Sequence, residues 1–415
     1  MEFMASLRQA LLKDRTALGF TLFASLLFIL IFTFENINGR FWLTDFDVYY
    51  QAARALVKGE PVYFTVFDQG SGIYKYSPVI LYFFLPYTIL PYKIAAILHF
   101  IVLCVSFWYS FILIKRILDR YLFAGSTKRE GLLLSAAFVC VLIHLVKELH
   151  LGNINSLLLM LSLASLTNLL EKKPWRAGIL FGLILLTKPF FVLLALPLLV
   201  RRYWKTLGGT ALALAAGFLL PALHLGWTRN WALHLDWFRT MLYHADTYLG
   251  INTLFYFLKH HLFPGMEGYY QYILLVLAGL LALAFILRNL QKEKKNGDQA
   301  GIKAADFSME WLLLIAIIPN VFKTDSEHFL ASAPLIAFII YYISRKKLFW
   351  FIPVLVVLIF FYGANSTDLL GTDFSNKLYF MGLIGLSNLA MALFALVFFL
   401  DLRKGMLKPG SSNSS

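Results

Sequence analysis

The stretch AAILHFIVLCVSFWYSFILI, residues 95–114, carries no Asp, Glu, Lys or Arg. An α-helix rises about 1.5 Å per residue, so a run of this length reaches across a hydrocarbon core of roughly 30 Å. Lipid offers no partner for backbone N–H and C=O groups, so such a segment must be helical. Beyond it, comparable runs extend from Leu207 to Leu225 and from Leu378 to Leu400, and Ser156 to Leu170 is nearly as apolar. The 415 residues are 60% hydrophobic and 14% charged. A soluble chain averages roughly 45–50% apolar and about 25% charged. The expected fold class is an all-α polytopic membrane protein. The first run, Ala17 to Phe34, is long and is followed by Glu35-Asn36-Ile37-Asn38 rather than a small-residue cleavage pattern, so it reads as a permanent span.

Net charge is +14, which in a soluble protein would raise nucleic acid as a partner. Here Lys and Arg cluster at the ends of apolar runs, so topology and lipid contact account for them and no nucleic acid is expected. The clusters are Arg8/Lys13/Arg15, Lys115/Arg116/Arg120/Lys128/Arg129, Lys172/Lys173/Arg176, Arg201/Arg202/Lys205, Arg288/Lys292/Lys294/Lys295/Lys303, Arg345/Lys346/Lys347 and Arg403/Lys404/Lys408. Placing all of them inside orders the chain. A first outer loop covers 35–77, and an interfacial or re-entrant helix 78–92. Crossings follow at 95–114, 132–149 and 153–170, then a hairpin bent at Lys188-Pro189 within 177–200. Later crossings fall at 207–225, 270–287, 309–322, 329–344, 348–363 and 378–400. Ten crossings and the hairpin amount to about twelve membrane helices in one domain, 1–408, with a disordered tail at 409–415. The second outer segment, 226–268, is rich in aromatic and imidazole groups, the mark of a helix at headgroup level. Cys104 and Cys140 both lie in apolar runs and read as small core residues, with neither a disulfide nor a metal site implied.

Three polar groups then fall on the outer face. The first is Thr44-Asp45-Phe46-Asp47 with the helical run through Gln51 to Lys58, and Tyr74-Lys75-Tyr76 after it. The second is Lys147, Glu148, His150, Asn153 and Asn155. The third is Lys323, Asp325, Ser326, Glu327 and His328. Charged groups at membrane depth cost about 2.5–3.5 kcal/mol each on insertion scales, so they tend to face a cavity. An Asp-x-Asp pair, Asp45 and Asp47, fits a metal-holding pair, a general base or a helix N-cap. Lys75, Arg54 and Lys188 are the cations suited to a phosphate leaving group. Asp325 and Glu327 could set the tautomer of His328. No Walker-type loop, Rossmann fingerprint or zinc spacing occurs, and a soluble nucleotide-sugar domain is missing, which favours a lipid-borne substrate.

The run Asp45-Phe46-Asp47-Val48-Tyr49-Tyr50-Gln51-Ala52-Ala53, then Gly59-Glu60-Pro61-Val62-Tyr63 and Tyr76-Ser77-Pro78, resembles glycosyltransferase family 87 of the GT-C superfamily, which includes polyprenol-phosphate-mannose-dependent α-mannosyltransferases. Gly152-Asn153-Ile154-Asn155, Lys188-Pro189, Asn252-Thr253-Leu254 and Ser326-Glu327-His328-Phe329 continue the likeness in order. The resemblance implies a GT-C membrane core, inverting transfer, Asp45 as catalytic aspartate and His328 as the late-span histidine. Asn153 stands where the family pattern has glutamine, a departure that bears on acceptor preference. The expected activity is transfer of a mannose-like hexose or a pentose from a polyprenyl-phosphate sugar to a lipid or glycan acceptor, at an inner or plasma membrane with the site facing outward. The expected catalytic residues are Asp45 and His328. The expected substrate-binding residues are Asp47, Tyr49, Arg54, Lys75, Tyr76, His150, Asn153, Asn155, Lys188, Asn252 and Glu327. No cofactor and no metal are expected. The competing reading is a transporter or flippase of a lipid-linked sugar, which predicts paired broken helices in the two halves; the break at Lys188-Pro189 has no counterpart later. A ligase of O-antigen type expects arginines flanking a long late loop, whereas 226–268 holds only Arg229 and Arg239.

Overall fold

The computed structural model describes residues 15–67, 72–123, 125, 129–247, 250–295 and 300–406. The expected tail at 409–415, the members Arg8, Lys13 and Lys128 of the basic clusters, and Lys408 lie outside the described residues. The main helices are α1 (Arg15–Ile37), α2 (Thr44–Lys58), α3 (Pro78–Phe84), α4 (Tyr92–Ile117), α5 (Glu130–Cys140), α6 (Leu142–Leu151), α7 (Asn155–Leu170), α8 (Pro174–Thr187) and α9 (Ala195–Val200). The chain continues through α10 (Trp204–Leu219), α11 (Trp227–Thr247), α12 (Tyr270–Lys295), α13 (Ala300–Val321), α14 (Ala333–Lys346), α15 (Ile352–Tyr362), α16 (Thr372–Phe380) and α17 (Leu383–Met406). Among the described residues, strand pairing is confined to an antiparallel ribbon of Val66–Phe67 with Gly72–Ile73 in the first outer loop.

The protein is an all-α polytopic membrane protein. Among the described residues, six segments are long and apolar enough to cross a bilayer: Leu18–Ile37, Tyr92–Leu122, Trp204–Leu225, Tyr270–Glu293, Ser326–Lys346 and Leu383–Met406. A seventh forms if α5 and α6 count as one span bent by 61°. The sequence reading counts ten crossings, and the difference has a physical origin. The helices α7 and α15, counted there as crossings, are 16 and 11 residues long, shorter than the roughly 20 that a bilayer demands, and α8 of the expected hairpin has 14. Helix α13 carries the buried charges Asp306 and Glu310.

The bundle closes through small residues. On α8, Gly178 and Gly182 stand one turn apart and face Thr206, Thr210 and Ala213 of α10. A Cβ at Gly178 would lie 2.0 Å from the Thr206 carbonyl oxygen, so the two backbones touch. Membrane helices pack this way because apolar side chains gain little from leaving equally apolar lipid. Hydrogen bonding adds to it: the Thr210 hydroxyl donates to the Gly178 carbonyl at 3.1 Å.

Basic clusters meet at one end. Arg116 pairs with Glu171, Lys346 with Asp401, and Arg345 donates to the Phe123 carbonyl. Deeper, Arg201 bridges Glu293 at 2.9 Å and Glu310 at 2.8 Å, and Arg403 holds Asp306 at 2.7 Å. Lys115 and His99 share α4, and sixteen residues of helix separate them by about 24 Å. His99 meets the carbonyl of Gly152 at 2.9 Å, which places the Gly152 turn at the end of the bundle remote from the basic clusters.

Candidate active site

Helix α2 begins at Thr44 with Leu43 as its N-cap, in a left-handed conformation at φ 48° and without a side-chain cap bond. Neither Asp45 nor Asp47 caps the helix, which corrects that reading; both lie inside its first turn, where a carboxylate favours the positive end of the helix dipole. Residues two apart on a helix point to nearly opposite sides. Asp45 with Val48 and Tyr49, at i, i+3 and i+4, therefore faces a cavity, while Asp47 turns away and accepts a hydrogen bond from Gln51 at 3.3 Å. The same geometry separates the two carboxylates as a metal-holding pair. Arg54, nine residues on from Asp45, falls on the far side of α2, exposed and 5.8 Å over the Tyr50 ring.

The cavity encloses about 550 Å³. Asp45 accepts a 2.7 Å hydrogen bond from the Asn153 amide nitrogen. That choice leaves the Asn153 amide oxygen to accept from the Ile154 N–H at 2.7 Å, from the Lys188 ammonium at 3.5 Å and from one of two tyrosine hydroxyls, Tyr76 at 3.3 Å or Tyr49 at 3.5 Å, the other hydroxyl donating to its tyrosine neighbour. Tyr49 and Tyr76 share a 2.8 Å bond between their hydroxyls. Lys188 lies at the non-helical break after α8, with φ −132° and ψ 93°, and is buried. It donates to the Asn155 amide oxygen at 2.6 Å and meets Nε2 of His328 at 2.7 Å.

An ammonium group has only hydrogens to offer, so this contact assigns Nε2 of His328 as the acceptor and Nδ1 as the protonated nitrogen. Nδ1 lies 3.2 Å from the Asp325 carbonyl oxygen, which takes that hydrogen. The backbone of Asp325, rather than a carboxylate, thus sets the tautomer. Glu327 is buried behind His328 and pairs with Lys147 at 3.3 Å, away from the cavity.

Lys75 reaches the cavity from the first outer loop, held there by Trp237 of α11, whose indole N–H donates to its carbonyl at 3.1 Å. The cavity wall also includes Lys323 and Asp325 of the third outer group, neither of which is among the expected substrate-binding residues. Besides Asp47, Arg54 and Glu327, two more expected ligands stand elsewhere. His150 meets Glu35 at 2.7 Å at the end of α1. Asn252 is buried against α17, where its backbone oxygen lies 2.1 Å from a Cβ built at Gly385. Among the described residues no group of three or more His, Cys, Asp or Glu is spaced to hold a metal ion.

Burial pushes the Asp45 carboxyl above the ordinary carboxylate range, and the nearby Lys75 and Lys188 pull it partway back. Part of the wall is apolar. Val192 follows the Lys188 break, Met241 comes from α11, and Tyr272 and Leu275 come from α12. Val192 and Tyr272 are exposed on the outer surface of the bundle, so the cavity opens sideways onto the apolar flank of α12. A charged pocket with a carboxylate, several cations and a lateral apolar mouth suits a substrate with an anionic head and a lipid tail.

Fold and site define a multi-pass membrane protein with a charged cavity whose lining runs onto a lipid-facing helix. The family model described as glycosyltransferase family 87 matches residues 74–318, and the chain belongs to that family. A curated relative, the Alpha-(1->3)-arabinofuranosyltransferase of Corynebacterium glutamicum, is 30% identical over 171 residues, which cover 39% of this chain and 38% of that protein. Tyr76, Asn153, Asn155, Lys188 and Asn252 lie within the family match, whereas Asp45 and His328 flank it.

Proposed function

We propose that this protein transfers a mannose-like hexose or a pentose from a polyprenyl-phosphate sugar to a lipid or glycan acceptor. The observation that carries this reading is the shared cavity: the Asp45 carboxylate and the Lys75 and Lys188 ammonium groups line it together, beside a mouth open to the lipid-facing helix α12. The prenyl chain lies along that flank and the phosphate sits among the lysines. Asp45 takes the proton from the acceptor hydroxyl as its oxygen attacks the anomeric carbon from the face opposite the phosphate. The bond from the anomeric carbon to the phosphate oxygen breaks, and its electron pair leaves with the polyprenyl phosphate. Lysine charge receives the leaving group, a task for preorganised cations in a site sheltered from water; no metal or other cofactor is assigned. The arabinofuranosyl specificity in the relative's name supports the pentose alternative.

The basic clusters gather at the end remote from the Gly152 turn, and an excess of Lys and Arg marks the cytoplasmic side. The cavity then faces the periplasm or exterior of an inner or plasma membrane. In this arrangement the short helices α7, α8 and α15 together with α13 complete the set of about twelve membrane helices within one domain, residues 1–408.

The test supplies purified protein with polyprenyl-phosphoryl mannose or polyprenyl-phosphoryl arabinofuranose and an alkyl glycoside acceptor. Product from wild type and none from Asp45→Ala supports the reading. Full activity in Asp45→Ala removes the base assignment, and movement of labelled lipid across vesicles without product makes the protein a transporter.

A further inference from the structure

Glu148 sits at the end of α6 with none of its surface exposed. Its backbone carbonyl accepts the N–H groups of Gly152 at 2.9 Å and Asn153 at 3.2 Å. Its carboxylate accepts the Ser156 N–H at 2.8 Å and the Asn155 amide nitrogen at 2.8 Å. One residue thus ties down the whole turn from Gly152 to Ser156, which carries Asn153 of the cavity wall and Asn155, the partner of Lys188.

The polarity of these bonds matters as much as their number. Asn155 has one amide nitrogen and one amide oxygen. Glu148, an acceptor on both oxygens, takes the nitrogen, which leaves the oxygen aimed at Lys188 at 2.6 Å. Lys188 in turn meets His328 and Asn153, and Asn153 meets Asp45. A buried carboxylate that touches no cavity surface fixes the direction of the chain of hydrogen bonds from Asn155 to Lys188.

We propose that Glu148 is a positioning residue for the transfer step: it orients Asn155 so that the Lys188 ammonium is held at the cavity wall beside Asp45. The inference rests on the cavity being the transfer site. Lys188 meets charge that develops as the phosphate leaves, so misplacing it weakens the transition state more than the bound donor.

The exchange of amide and carboxylate between the two positions tests this. In Glu148→Gln the oxygen can still accept from Ser156, but the new NH2 faces the Asn155 NH2. Relief requires Asn155 to turn and present its NH2 to the Lys188 ammonium. In the double variant Glu148→Gln/Asn155→Asp every bond is restored with unchanged total charge. The amide now at position 148 donates to the carboxylate now at position 155, whose second oxygen accepts from Lys188.

With full-length protein, polyprenyl-phosphoryl mannose or arabinofuranose as donor and an alkyl glycoside as acceptor, Glu148→Gln is expected to lose about 10²-fold in kcat, the scale of a misplaced catalytic group. Donor KM stays near wild type, and the double variant regains most of kcat. Wild-type kcat in Glu148→Gln overturns the inference, as does a double variant that regains the thermal midpoint in detergent but not kcat. Should Glu148→Gln fail to fold, Asn155→Asp alone, which sets two carboxylates against each other, takes its place in the same comparison with the double variant. Full activity in Asp45→Ala alongside an impaired Glu148→Gln would instead count against the base assignment, so the two failures are distinguishable.

Discussion

At the residue scale, Asp45 and Asp47 are separated by helix geometry alone. Both stand in a motif that sequence reading treats as a pair, yet the two-residue spacing sends one into the cavity and the other toward Gln51. Asp45→Asn should lower kcat by about 10²–10⁴, the range for a lost general base; Asp47→Asn should leave kcat within a few-fold of wild type. Steady-state assays on the two variants decide between them. The pH dependence follows from burial. A base works unprotonated, so activity falls on the acid side as pH drops through the Asp45 pKa, which burial raises and Lys75 opposes. Lys188 also lowers it and Asp325 raises it. Removing a cation favours the neutral acid, so Lys75→Gln should move the acid limb of kcat/KM to higher pH. An unmoved limb would mean that Asp45 is not the group titrating there.

At the element scale, the turn between α6 and α7 works because Gly152 is glycine. Its φ is +70°, and a Cβ there would meet the Cβ atoms of Leu43 and Phe46 at 3.0 Å. Left-handed backbone costs an L-residue roughly 1–2 kcal/mol, and the crowding against α2 adds to that. Gly152→Ala should therefore lower the thermal midpoint in detergent. It should also lower kcat in the protein that remains folded, because the turn that shifts carries Asn153 to Asp45. A midpoint loss with kcat per folded molecule unchanged would show that the turn is structural only. Tyr49 and Tyr76 illustrate the same coupling from the other side: they lie 27 residues apart, and their hydroxyl pair closes against Asn153 only when α2 and the outer loop pack together.

At the scale of the whole molecule, two polar centres divide the work. One is the cavity. The other, at the basic end, binds Arg201 to Glu293 and Glu310, with side chains no more than 5% exposed. It pins α12, whose flank is otherwise largely bare, to α13 and to the chain after α9. Removing one partner from a buried ion pair costs about 3–5 kcal/mol because the remaining charges stay buried. Arg201→Met should destabilise by that order in a thermal melt while kcat per folded molecule holds, since the cavity lies at the other end. A simultaneous fall in kcat would reveal coupling through α12, which also forms the cavity mouth.

The unbroken apolar runs suffice to specify a helical membrane protein, because a barrel strand would alternate apolar and polar residues and a lone apolar segment satisfies its backbone in lipid only as a helix. The basic clusters specify which ends belong together, and several of those clusters do meet in space. The motif order pointed to the family, and Asp45, Tyr49, Lys75, Tyr76, Asn153, Lys188 and His328 do line one cavity. Packing in three dimensions was needed to place Arg54, His150, Asn252 and Glu327 away from it, since facing depends on helix phase and on neighbours distant in sequence. Packing also fixed the role of Glu148, a residue whose partners are set by the turn that follows it, and whose influence on Lys188 passes through an amide that sequence cannot orient.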